Sequence, residues 1–81
     1  MARVHLTSSL GQFTSGELVL ELEVSDIKRL FDALIARHPG LKPHLEAGVA
    51  VATDGQIYQD ELFAPIGPNR EVHILPMISG G

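Results

Sequence analysis

The chain has 81 residues, 44% of them hydrophobic and 20% charged, with six Lys plus Arg against ten Asp plus Glu for a net charge of -4. That fits one small globular domain, leaves no room for a second, and gives no basic run able to neutralise the phosphates of a nucleic acid. Cysteine is absent, so there is no disulfide staple, thiolate nucleophile or Cys-based zinc site.

The opening stretch, MARVHLTSS, has no apolar core of the kind a secretory leader needs. No apolar run approaches the ~20 residues that span a bilayer, and the expected setting is soluble and cytoplasmic, with no membrane partner. Residues 3–6 alternate polar and apolar. Residues 17–24 alternate more plainly, with Leu18, Leu20, Leu22 and Val24 on one face and Glu17, Glu21 and Glu23 on the other. Between these two half-buried strands, TSSLGQFTSG reads as a long hairpin loop in which Gly11 and Gly16 are free to take positive φ. Residues 25–40 then place Ile27, Leu30, Phe31, Leu34 and Ile35 at the i, i+3, i+4, i+7, i+8 spacing of one helical stripe. Ser25 is the expected N-cap. Asp26 suits the positive end of the helix, Arg37 and His38 the negative end, and Pro39-Gly40 the stop.

LKPHLEA, 41–47, is a loop or short helical turn, GVAVAT a strand, and TDGQ a turn into a short strand around Ile57 and Tyr58. The two prolines and the glycine of DELFAPIGPNRE rule out a continuous helix or central strand. It is expected to be an irregular crossover with one 3₁₀ turn. EVHILP, 71–76, is the last strand, with Val72 and Ile74 facing the core and His73, Leu75 and Met77 facing away. The whole is an α+β arrangement of one helix crossing a mixed sheet of four or five strands. A chain this short buries only ~60% of the surface its unfolded form exposes, which favours a binding or carrier module over a deep enclosed active site.

The sequence closes on MISGG. At an average glycine usage near 7%, two terminal glycines arise by chance in roughly 0.5% of chains. Read with GVAVATDGQ and with GPNREVHILPMISGG, the element order resembles the β-grasp, ubiquitin-like sulfur-carrier family typified by MoaD and ThiS. The resemblance spans essentially the whole chain and implies a β-grasp domain over 1–76 and a flexible tail over 77–81. It implies that the protein is not an enzyme but a protein cosubstrate, or the small subunit of a sulfur-transferring synthase. Gly81 would be adenylated and converted to a thiocarboxylate, with Gly80 its required neighbour. The chain itself would bind no cofactor, the ATP being used by a ubiquitin-activating-like adenylyltransferase. A sulfur donor protein or sulfide and a downstream sulfur-acceptor enzyme would be the other partners. Leu75, Pro76, Met77, Ile78 and Ser79 would meet them.

The physical reasons stand beside the resemblance. A carboxylate is a poor electrophile until an acyl phosphate anhydride supplies a leaving group. Two residues without Cβ let an extended tail enter a narrow channel. Pro76 removes a donor and ends ladder pairing. Where the small subunit of molybdopterin synthase carries two aromatics and a Pro-Pro pair, this chain has Ile74, Leu75, Pro76 and Met77. The Leu-Pro pair followed by an apolar residue is more similar to carriers that feed cysteine or secondary-metabolite sulfur pathways. Ala52 stands where such carriers often have asparagine.

Two other readings share these residues: a ubiquitin-like modifier joined through Gly81 to lysine amines, and a β-grasp interaction domain in which the glycines are dispensable. His5, His38, His44 and His73 fall on separate elements without metal-ligand spacing and read as surface residues. No nucleophile elbow or phosphate-cradling glycine loop is present. Phe13, Phe31 and Phe63 are expected in core or loop packing, and Glu21 and Glu23 on a solvated strand face.

Overall fold

Nine short elements build the described part of the chain: strand β1 (Ala2–Leu6), helix α1 (Ser8–Gly11), β2 (Val19–Leu22), α2 (Ile27–Arg37), a 3₁₀ turn (Pro39–Leu41), α3 (Lys42–Ala47), β3 (Val49–Thr53), β4 (Gln56–Tyr58) and β5 (Glu71–Pro76). The computed structural model describes residues 1–59 and 61–76, so the expected tail, 77–81, lies outside the described residues. The strands form a single mixed sheet of order β2-β1-β5-β3-β4. β1 pairs antiparallel with β2 and parallel with β5, whereas β3 is antiparallel to both β4 and β5. The last strand in sequence is thus the central one in space.

The inward-facing set follows the period-2 rule. Val4, Leu6, Leu20, Val49, Val51, Val72 and Ile74 are buried and join Ile27, Leu30 and Leu34 of α2 and Leu41 in one apolar cluster. Leu22, Val24, Phe31 and Ile35 pack partly buried against it. Fully burying side chains of this size contributes ~1.5–3 kcal/mol each before the entropy cost of ordering them.

Several local expectations are corrected. The N-cap of α2 is Asp26, not Ser25: Asp26 Oδ1 accepts the Arg29 amide at 2.7 Å. Ser25 is committed to the crossover, since its carbonyl accepts the Ile66 N–H at 2.9 Å and Asp26 bridges Pro65. β2 covers only Val19–Leu22 rather than 17–24, because the chain at Glu17 is still in a turn, its N–H bonded to the Thr14 carbonyl. Leu18 accordingly stands 38% exposed instead of joining the inner face. The hairpin loop contains the one-turn helix α1. Gly11 ends that turn in helical conformation, and the positive φ falls on Ser15 and Gly16 instead. LKPHLEA folds as helix α3, entered through a 3₁₀ turn that begins at Pro39, where the missing N–H is no loss. The crossover has a single i to i+3 turn, Ala64 N–H to the Glu61 carbonyl, and no 3₁₀ helix among its described residues. Phe63 is 81% exposed, because both carbonyls that anchor this segment to α2, those of Leu62 and Ala64, point its backbone rather than its ring at the domain.

Candidate functional site: the end of the central strand

β5 is held on both flanks over most of its length. Glu71 to Ile74 pair with Arg3 to Leu6 on one side, and Val72 to Pro76 pair with Thr53 to Val49 on the other. The β1 flank is lost first, because after Leu6 the chain turns into α1. Leu75 and Pro76 are therefore paired on the β3 side alone. At Pro76 that side runs out too: its partner Val49 is the first residue of β3, and Gly48 before it has φ 121°, a conformation open to glycine and strained for other residues. Proline at this position brings no N–H to the ladder. Over residues 72–74 β5 is paired on both flanks, in the centre of a five-stranded sheet.

The alternation expected for β5 holds over its described residues: Val72 and Ile74 are buried, His73 and Leu75 exposed. Leu75, one of the expected partner contacts, is 39% exposed opposite Ala50, and Pro76 is half-buried. Met77, Ile78, Ser79, Gly80 and Gly81 lie outside the described residues.

The outward sheet face carries a row that crosses all five strands, Val19, His5, His73, Ala52 and Ile57, each paired in register with the next. The parallel register sets His5 directly beside His73, with rings stacked at 4.5 Å and 15°. Glu71 Oε1 lies 2.9 Å from His5 Nε2. The next row is charged, with Glu21, Arg3 and Glu71 in register. The histidines do sit on separate elements, but two of them meet. Sequence spacing holds no sign of this, because the pairing joins the two ends of the chain. Among the described residues, no group of three or more His, Asp or Glu side chains gathers as a metal site would require.

A second cluster braces the loop beneath this face. Arg37 at the end of α2 donates from Nε and Nη2 to the two oxygens of Glu17, each at 3.1 Å, and His38 Nε2 stands 2.8 Å from Glu17 Oε1. These hydrogen bonds, His38 first and Arg37 second, hold the Glu17 carboxyl below the ordinary carboxylate range. Thr14 ties the same loop with its hydroxyl, donating to the Glu17 carbonyl at 2.7 Å. No helix among the described residues is long and apolar enough to cross a membrane.

The fold is similar to those of known proteins. The chain is similar over its full length, with 22% identity, 100% coverage of both chains and a TM-score of 0.81, to a chain in the crystal structure of the Amycolatopsis orientalis BexX/CysO complex. It is also similar to SAMP1 from Haloferax volcanii, with 18% identity, coverage of 99% of this chain and 98% of that one, and a TM-score of 0.67. These likenesses show the ubiquitin-like β-grasp fold. No curated protein sequence matches the chain. The model of the ThiS family matches residues 4–81, from β1 through the last glycine. Over nearly all its length, then, this chain has a ubiquitin-like β-grasp fold and belongs to the ThiS family.

Proposed function

We propose that the protein is a sulfur carrier that works through the carboxylate of Gly81. The observation that carries this reading is that the last strand in sequence is the central one of the sheet and that the sequence after it closes on Gly80-Gly81. The family match, which runs through residue 81, supports it. In the first step the Gly81 carboxylate oxygen attacks the α-phosphorus of ATP on an activating adenylyltransferase, forming an acyl adenylate and releasing pyrophosphate. A sulfide or protein persulfide sulfur then attacks the acyl carbon and AMP leaves, with a two-electron reductant needed in the persulfide case to free the donor. The product is a thiocarboxylate, whose sulfur is passed to an acceptor and whose acyl group returns to carboxylate with water. The chain supplies the acyl group and a docking surface; each bond is made on a partner enzyme.

In this reading Leu75, Pro76, Met77, Ile78 and Ser79 are the contacts with such a partner, and the exposure of Leu75 supports it. The Leu-Pro pair followed by an apolar residue favours an acceptor in cysteine or natural-product sulfur chemistry over molybdopterin synthesis. The test is ATP–pyrophosphate exchange with the host's activating enzyme. Exchange that requires this protein and disappears with a Gly81 deletion supports the reading. Exchange unaffected by the deletion refutes it.

A further inference from the structure

The sheet has two edges, β2 and β4, and β2 is the longer, four residues against three. The backbone groups of an edge strand that do not face its one neighbour are open to another chain. The Leu6 N–H bonds to the Leu18 carbonyl at 2.8 Å, which fixes the phase of the β1–β2 ladder. Bonded and non-bonded residue pairs alternate in an antiparallel ladder, so Leu20 and Leu22 also turn their N–H and C=O groups to β1, opposite Val4 and Ala2. Val19 and Glu21 then turn theirs outward. Among the described residues no backbone group bonds to either of them from that side. The edge thus carries two donors and two acceptors at the alternate-residue spacing that a next strand would meet.

The side chains along this edge say what kind of strand it takes. Toward the inner face, Leu22 and Val24 are only partly buried against the core, which leaves apolar surface for an added strand to cover. Glu21 on the outer face and Glu23 just past the strand are both exposed. Glu21 has Arg3 at 3.8 Å, but the two side chains are 62% and 56% exposed, and a pair of that kind holds its members weakly. Glu17, by contrast, is committed to Arg37 and His38. Two copies of this chain joined edge to edge would set the glutamates of β2 against one another, which destabilises a strand pair, whereas cations on the same face would attract them.

We propose that β2 is a docking edge for an extended segment of a partner protein in which Lys or Arg alternates with apolar residues. Bound as a further strand, the segment exchanges backbone hydrogen bonds with Val19 and Glu21, sets its cations beside Glu21 and Glu23, and lays its apolar side chains over Leu22 and Val24. Backbone pairing supplies the affinity and the alternating side chains the choice of partner. β1 separates β2 from β5, so this docking is distinct from the contacts proposed around Leu75 and does not depend on the sulfur-carrier reading.

The test is a nuclear magnetic resonance titration of the full chain, labelled with nitrogen-15, with the capped synthetic peptide Lys-Val-Lys-Val-Lys. The expected result at saturation is a shift and slowed hydrogen exchange of the Val19 and Glu21 amides, with little change at Leu20 and Leu22, which are already bonded to β1. The same peptide methylated on its lysine backbone nitrogens keeps the charge and loses the donors, and is expected to leave the Val19 and Glu21 exchange unchanged. Glu21→Lys combined with Glu23→Lys is expected to weaken binding roughly tenfold, as attraction at two exposed positions turns to repulsion. Unchanged Val19 and Glu21 amides overturn the proposal. So does binding that is indifferent to backbone methylation, or equal binding of Glu-Val-Glu-Val-Glu. Slowed exchange of the same two amides that needs no peptide and grows with protein concentration also overturns it, by assigning the edge to a second copy.

Discussion

Pro76 lies directly across from Val49, the first residue of β3, and is paired on that flank alone. On the other side of β5, pairing has already stopped at Leu6 opposite Ile74. The core, from Val4 on β1 to Leu34 on α2, packs against the face of the sheet that carries Val72 and Ile74 of β5.

Leu75, next to Pro76, is exposed and contributes little to the core. Leu75→Ala is expected to leave thermal stability within about 0.5 kcal/mol of wild type, as surface changes usually do. It is expected to weaken binding to the activating enzyme, in line with the loss of a partly exposed apolar contact. Calorimetry and a binding titration on the same variant check both halves. Unchanged affinity removes Leu75 from the docking surface.

Asp26 and Ser25 offer a direct comparison of two neighbouring caps. Asp26 accepts the Arg29 amide, so Asp26→Ala is expected to cost ~1 kcal/mol through loss of that bond. Ser25→Ala, which leaves the Ile66 contact to the Ser25 carbonyl intact, is expected to cost far less. Urea unfolding of the two variants checks the order.

Legibility in the sequence divides along the distance between interacting residues. Helix α2 is legible because its apolar stripe repeats within a few residues, and the Val72/Ile74 inner face because strand alternation is equally local. The cap is displaced by one position, since Ser25 and Asp26 are both good N-caps and the choice is made by the crossover more than thirty residues away. Phe63 departs from expectation for a related reason: an aromatic in an irregular segment packs only if the segment turns it inward, and here the backbone carbonyls do the anchoring. The stacked His5 and His73 depend on a parallel pairing between the first and last strands, which leaves no local mark. The contact between the Phe13 and His44 rings likewise joins a hairpin loop to α3.

Glu17 predicts an acid-sensitive loop. Its carboxyl is held below its ordinary value of 4.5 by His38 and Arg37, so the folded state binds its proton less readily than the unfolded chain. The stabilisation is therefore fully present above that ordinary value and is lost as pH falls through the lowered one. Wild type is expected to melt above Glu17→Gln at pH 6, with the two curves converging in the acid range below pH ~4. A gap that persists there contradicts the charge-based account.

Thr53 is buried at 4% exposure, and its hydroxyl has no hydrogen-bond partner among the described residues. Thr53→Val replaces that unsatisfied group with a methyl of similar shape and suits a strand. The expected change is a gain of about 0.5–1 kcal/mol, within the penalty that an unpaired buried polar group carries. Chemical denaturation checks it, and a loss of more than about 1 kcal/mol would show that the hydroxyl is satisfied in solution.

The central claim is that sulfur rides on Gly81. Its most direct measurement is the intact mass of the protein after incubation with ATP, a sulfide source and the host's activating enzyme. A gain of roughly 16 mass units in the wild type, from one carboxylate oxygen replaced by sulfur, and none after deletion of Gly81, is the predicted result. An unchanged mass with an activating enzyme shown to be competent would contradict it and leave the chain a β-grasp interaction domain.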